Sequence, residues 1–254
     1  MSETPRLFIK KDDIDLESGL ISISDKSVLH HISKVLRIKL NDDIIILDGL
    51  GKEILTGVES ISKNLITLKI LSISDIKPFP SFSLNLIQAV VKGDKQDFII
   101  QKATEIGVSS VINLISDYSN VQLSDDNAVS KKIERWQKVA LSASMQSKRA
   151  NIPDVSLCSN LLNLFESGKI NFKNDTVIAC VENDSLITIK QYLKQFQYKT
   201  NTYVLIGPEG GWSANEIDLF NKYNVNQVSL GSNILRSDTA SIIALGIIVY
   251  ELEL

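Results

Sequence analysis

Over residues 6–70 apolar and polar positions alternate in short runs, the period of half-buried strands. The runs are Arg6–Lys10, Leu20–Ser24, Ile44–Asp48, Glu53–Glu59 and Leu65–Leu71, separated by turn signals at Asn41-Asp42-Asp43 and Asp48-Gly49-Leu50-Gly51. They predict a small, mostly β domain. One helix interrupts it: after Ser24 as N-cap, Val28, His31, Ile32, Val35 and Leu36 recur at helical spacing. Residues 72–81 (SISDIKPFPS) carry two prolines and three serines without apolar periodicity and read as a linker.

Beyond the linker the pattern becomes strands alternating with helices, which predicts an α/β domain on a mostly parallel sheet. SLNLIQAV, VSSVINLIS, TVIACV, TYVLIG and NQVSLG are strands. Lys95–Ile106, ended by Gly107, and Val129–Ser147 are helices, with later ones at Ile217–Tyr223 and Thr239–Leu252. The last is apolar almost all round, so it belongs in a core or a dimer interface.

Composition narrows the class. With 254 residues, 44% hydrophobic and 22% charged, the chain reads as soluble and globular. Its strongest apolar run, Ala240–Tyr250, is short of the roughly 20 residues that cross a bilayer. MSETPRLFIK lacks the apolar core of a signal peptide, so a cytoplasmic, non-membrane protein is expected. Cys158 and Cys180 are the only cysteines and the adjacent His30 and His31 the only histidines, a spacing that builds no metal site.

Formal charge is −3, which disfavours indiscriminate nucleic-acid binding, yet the charge is uneven. From Lys131 to Arg149 six cations face the single Glu134, leaving +5, although Asp125 and Asp126 lie just before. Lys131, Arg135 and Lys138 share a helical face. Only five residues are arginine: Arg6, Arg37, Arg135, Arg149 and Arg236. In so lysine-rich a chain these positions invite the question of planar, bidentate contacts to phosphate or a base edge.

Candidate chemistry concentrates in two strand–loop–helix units at the end of the chain. Tyr203–Gly207 runs into Pro208-Glu209-Gly210-Gly211-Trp212, and Ser213-Ala-Asn-Glu216 then forms a capping box. Val228–Gly231 runs into Ser232–Asp238 and the final helix. Both loops lie at carboxyl ends of strands, where open α/β sheets bind ligands. Gly207, Gly210 and Gly211 allow close backbone approach to a ligand such as an adenine edge or a ribose; a tight turn with a helix cap is the competing account. G-x-G-x-x-G and G-x-x-x-x-G-K-[ST] are both missing, which favours a nucleoside without polyphosphate over NAD or ATP.

The two loop texts, Leu205-Ile-Gly-Pro-Glu-Gly-Gly-Trp-Ser-Ala-Asn-Glu-Ile217 and Leu230-Gly-Ser-Asn-Ile-Leu-Arg-Ser-Asp-Thr-Ala240, closely resemble the signature pair of bacterial uridine-N3 methyltransferases of small-subunit ribosomal RNA, in the SPOUT class. The resemblance includes Lys92-Gly-Asp-Lys95, Gln101-Lys102, Glu105-Ile-Gly107, Gln146 and Arg149. Nearer the N-terminus it takes in Arg6-Leu-Phe8, His30–Arg37 and Asp48-Gly. It implies a PUA-like β-barrel for RNA over 1–72, and over 80–254 an α/β methyltransferase domain with a deep trefoil knot, working as a homodimer. S-adenosylmethionine is the implied cofactor, surrounded by Leu205, Gly207, Glu209, Gly210, Leu230, Gly231, Ile234, Leu235 and Thr239. The implied partner is 16S ribosomal RNA within the small subunit, with no metal. The chain departs from the family pattern at Asn233 (commonly Arg), Ser237-Asp238 (Thr-Glu), Met145–Arg149 and Ser116–Ser119.

Methyl transfer from a sulfonium needs alignment rather than a metal. A cation near the uracil oxygens would stabilise the anion formed when N3 loses its proton, and Arg236 is the candidate, with a helix-cap or phosphate contact as the other reading. Glu209 and Asp238 are the carboxylates nearest in sequence. Arg6, Arg37, Lys92, Lys95, Lys131, Arg135, Lys138, Gln146, Lys148 and Arg149 are the candidate RNA contacts. A non-catalytic RNA-binding or ribosome-assembly protein on the same fold is the rival, prompted by Asn233 and Lys148.

Overall fold

The computed structural model describes residues 4–9, 14–119, 126–183, 187–195 and 201–253. The chain divides into two compact units, one of Met1–Pro78 with Ser144–Ile152, the other of Phe79–Ala143 with Pro153–Leu254.

The first unit is a five-stranded sheet of β1 (Arg6–Phe8), β2 (Leu20–Ile23), β3 (Asp43–Leu47), β4 (Lys52–Ile61) and β5 (Ile66–Asp75), in the order β1-β3-β4-β5-β2. Only β1–β3 is parallel. Among the described residues its two edge strands do not pair with each other, which makes it a half-barrel. Alternation dictates the core: Ile54, Thr56 and Val58 of β4 point inward with Ile44 and Ile46 of β3, and the Thr56 hydroxyl is satisfied by Ile44 O at 2.8 Å. Asp48 Oδ1 accepts from the amides of Leu50 and Lys52 and shapes the β3–β4 turn. A segment from far along the chain, Ser144–Ile152, joins this unit, with Asn151 bridging to Gly49 and Leu50.

Three expectations for this region are corrected. The helix is capped by Asp25, whose side chain accepts from the amides of Ser27 and Val28, because a carboxylate one residue beyond Ser24 meets the free amides. That helix, α1 (Lys26–His30), continues as a π-helical turn over His31–Leu36 and stops where Arg37 turns left-handed at φ 53°. The linker is shorter than read, because β5 pairs with β4 as far as Asp75 and ladder hydrogen bonds hold polar residues in the strand. Lys10, placed in the first strand by alternation, lies outside the described residues.

In the second unit six strands are all parallel: β6 (Ser83–Ala89), β7 (Ser110–Leu114), β8 (Asp154–Cys158), β9 (Thr176–Cys180), β10 (Asn201–Ile206) and β11 (Asn226–Val228), ordered β11-β9-β10-β6-β7-β8. Strands β6, β9 and β10 are buried along most of their length, as a sheet covered on both faces requires. The helices are α2 (Lys95–Ile106), α3 (Asp126–Gln146, whose end from Ser144 on belongs to the first unit), α4 (Leu161–Glu166), α5 (Ile189–Lys194), α6 (Ala214–Lys222) and α7 (Ser237–Glu253). Helix α2 has the predicted bounds and stops at Gly107, φ 117°. Helix α7 starts at Ser237, two residues earlier than read, and packs on α2, α5 and β10 while Ile243 and Tyr250 stay exposed. Alternation and period did not reveal β8, an edge strand, or the six-residue α4 and α5, too short for a helical repeat to register.

Candidate functional site

The loops leaving β9, β10 and β11 converge at the carboxyl edge of the parallel sheet around a cleft of about 280 Å³. One wall is Gly207, Pro208, Gly211 and Trp212, the other Leu230–Leu235, and Cys180–Asn183 supply part of the lining. Local chemistry explains each wall. Trp212 folds back because its indole Nε1 donates to Cys180 O at 3.0 Å, so a Cβ at Gly207 would sit 3.2 Å from the ring. A side chain there would press on the indole ring, so glycine is favoured by space. Gly231 is required by backbone instead, at φ 124°, and Ser229 steadies the turn by accepting from the Gly231 amide.

Ser213 begins α6 with the predicted capping box: its hydroxyl accepts from Glu216 N–H, and Glu216 Oε2 accepts from Ser213 N–H. Asp117, from the loop after β7, joins it by accepting from the Ser213 hydroxyl and donating its own amide to Glu216 Oε1. Burial pushes the Glu216 carboxyl above the ordinary carboxylate range, against the lowering pull of these hydrogen bonds. Tyr118 of the same loop lies against Gly210 and remains exposed.

The expected cofactor residues fall into two groups. Gly207, Leu230, Gly231, Ile234 and Leu235 line the cleft. Leu205 is buried in β10, while Glu209, Gly210 and Thr239 are exposed and lie outside the lining. Arg236 is exposed, with a lining residue on either side of it in sequence, Leu235 and Ser237. Lys95 Nζ contacts Glu209 Oε1 at 3.0 Å. Burial raises the Glu209 pKa, but the hydrogen bond and charge of Lys95 outweigh it with the loop's own backbone, and the carboxyl ends below its ordinary value.

Among the expected RNA contacts, Lys131, Arg135 and Lys138 share an open groove on α3 with Glu134, Val139 and Ser142. Arg135 is turned towards α2, with NH2 2.6 Å from Asp97 and 3.2 Å from Asp94, and the Asp97 hydrogen bond raises its pKa. Asp125 and the side chain of Asp126 lie outside the described residues. Arg6 is taken by Glu53 at 2.7 Å. Arg37, Lys92, Gln146 and Lys148 are exposed, and Lys148 adopts φ 59°. Arg149 is half-buried, and burial lowers its pKa to about 10. Among the described residues no group of His, Cys, Asp and Glu could hold a metal ion, and no helix is long and apolar enough to cross a membrane.

Sequence reading overlooked Ser237, Trp212 and the Cys180–Asn183 loop as lining of the cleft, and Gln88 behind it as a partner of Ser237. Trp212 stands in the sequence only as a member of the glycine loop and Ser237 only as a departure from the family pattern; Gln88 lies inside a strand and carries no local signal of its partners.

A family model described as an RNA methyltransferase domain matches residues 77–249. The chain belongs to this RNA methyltransferase family. A second model, an RNA methyltransferase PUA domain, matches residues 23–71 of the methyltransferase. A relative from Buchnera aphidicola subsp. Acyrthosiphon pisum, named ribosomal RNA small subunit methyltransferase E, is 32% identical and aligns over 95% of this chain and 91% of its own length. The protein of that name from Bacillus subtilis is 30% identical over 98% and 97% of the two chains. Among solved structures, a ribosomal RNA small subunit methyltransferase E from Neisseria gonorrhoeae, bound to S-adenosyl methionine, superposes with a TM-score of 0.79 at 25% identity over 97% of each chain.

Proposed function

We propose that this methyltransferase uses S-adenosylmethionine to methylate N3 of a uridine in 16S ribosomal RNA of the small subunit. The observation that carries the reading is the cleft walled by the loops after β10 and β11 in a chain of this family. Its lining fits the cofactor. Gly207 and Gly231 let the backbone approach a ligand without a side chain in the way, and Ile206, Leu230, Ile234 and Leu235 supply apolar walls, which suits a nucleoside without polyphosphate. Leu205, Glu209, Gly210 and Thr239 then support that wall from outside the lining.

The bound cofactor supplies a methyl group on a sulfonium, whose sulfur leaves as a neutral thioether. The chain's residues align the acceptor and stabilise charge. Arg236 holds the negative charge that spreads onto the uracil carbonyl oxygens as N3 loses its proton. Glu209, ion-paired and held below its ordinary pKa, is a poor acceptor for that proton. N3 is on the Watson–Crick edge, so the target uridine is unpaired or extruded when it reacts.

The first unit, with β5 running to Asp75, forms the RNA-binding domain expected over 1–72, and the second unit the catalytic one expected over 80–254. The cations on α3, with Arg6, Arg37, Lys92, Lys95, Gln146, Lys148 and Arg149, are the RNA contacts. The chain end is knotted, a reading supported by β11 lying beside β9 and by Ser229 exchanging backbone hydrogen bonds with Ile187 and Ile189. The working form is a cytoplasmic homodimer. Mass-spectrometric mapping of methylated uridines in ribosomal RNA, with and without the protein, tests the activity: one N3-methyluridine that disappears with the protein is expected, and an unchanged map would reject the reading.

A further inference from the structure

We propose that Gln88, outside the cleft lining, is a positioning residue that locks the two cofactor loops together through Ser237 and Ser241. The inference rests on the reading of the cleft as the cofactor site. Gln88 is the penultimate residue of β6, paired in the sheet with Ile206, and its side chain is wholly buried. A buried amide must find partners for both its donors and its acceptor. Gln88 Nε2 donates to Ala89 O and to the Ser237 hydroxyl, each at 2.9 Å, and Oε1 accepts from the Ser241 hydroxyl.

That arrangement has one consistent direction. Turning the amide over would set Oε1 against the carbonyl of Ala89, two acceptors face to face. Because the Ser237 oxygen accepts from Gln88, its single hydrogen is free for Gly207 O, which it reaches at 2.6 Å. Donors therefore run from Gln88 to Ser237 to Gly207. The last link joins the loop after β10 to the first turn of α7, and both of its residues line the cleft. Arg236 directly precedes Ser237, so the same link fixes the backbone that carries the proposed catalytic cation. Ser241, one turn along α7, has a single hydroxyl hydrogen lying between Gln88 Oε1 and Ser237 O, the latter 2.8 Å away, so the acceptor end of Gln88 and the helix start share it.

A polar chain that only filled space would set stability without setting cofactor affinity. The test is calorimetric binding of S-adenosylmethionine, kcat and KM on ribosomal RNA, and thermal unfolding, for the full chain and for Gln88→Met, Ser237→Ala, Ser237→Thr and the Gln88→Met/Ser237→Ala double variant. Methionine keeps the volume without the amide. Gln88→Met and Ser237→Ala are each expected to weaken cofactor binding roughly tenfold. The double variant is expected to lose little more than the worse single one, as consecutive links of one chain do. Ser237→Thr, which keeps the hydroxyl, is expected to lose less than Ser237→Ala. Cofactor affinity and kcat within about twofold of wild type, with only the melting temperature lowered, would overturn the proposal, as would fully multiplicative losses. A wild-type chain that does not bind S-adenosylmethionine would instead remove the cofactor reading, and this inference with it.

Discussion

At Arg236 a guanidinium stands exposed between two residues that line the cleft, where it can meet a substrate with no side-chain hydrogen bond or ion pair to another described residue. Arg236→Ala is expected to lower kcat about a hundredfold while leaving S-adenosylmethionine affinity near wild type, the pattern of a group acting on transition-state charge. Near-normal turnover would reduce the residue to a phosphate or cap contact. Gly107 shows a different necessity: at φ 117°, an added Cβ would meet Phe79 O and Pro80 Cδ at 2.6 Å. Gly107→Ala is therefore expected to cost well over about 1 kcal/mol in stability, measured by denaturant unfolding. The glycine was legible beforehand as a helix end, whereas Arg236 stood out only as one of five arginines. The ion pair of Glu209 with Lys95 was not legible, because the two are 114 positions apart.

Helix α6 shows how an element can be half legible. Its capping box is written in Ser213-Ala-Asn-Glu216, but the third member, Asp117, comes from the loop after β7. Packing of that loop buries Glu216 and raises its carboxyl pKa. The folded chain therefore holds this proton more tightly than the unfolded chain does. The resulting stability is fully present below the unfolded value of about 4.5 and is lost as pH rises through the higher folded value. Compared with Glu216→Gln, which has no such titration, the wild type is expected to lose relative stability as pH rises from 4 to 7 in denaturant melts. A pH-independent difference would show that burial does not hold the proton. Caps of this kind were readable as text; the π-helical turn at His31–Leu36 was not, since its apolar spacing also suits an α-helix.

A formal charge of −3 leaves long-range attraction to RNA weak, so affinity must come from placed cations. On α3, Arg135 is already engaged by Asp94 and Asp97, which leaves Lys131 and Lys138 as the groove's cations without an acidic partner among the described ion pairs. The Lys131→Ala/Lys138→Ala variant is expected to bind ribosomal RNA more weakly, with the slope of log affinity against log salt reduced by about 1–2 and S-adenosylmethionine binding unchanged. An unchanged salt slope would place the RNA elsewhere. The +5 segment was visible as composition, but its division between engaged and available cations follows from Asp94 and Asp97, at the start of α2, reaching Arg135.

Period and punctuation carried the class of each half of the chain, the bounds of α2 and both glycine loops, because these depend on neighbours within one turn or one strand. The loop texts carried the family, because residues that shape a turn around a ligand are contiguous. Strand order, the third loop at Cys180–Asn183, the Gln88–Ser237–Gly207 chain and the return of Ser144–Ile152 to the first unit depend on partners outside the local pattern, 30 positions apart for Ser237 and Gly207 and 149 for Gln88 and Ser237. Such partners are chosen by burial and hydrogen-bond satisfaction in the folded state, and local pattern contains no record of them.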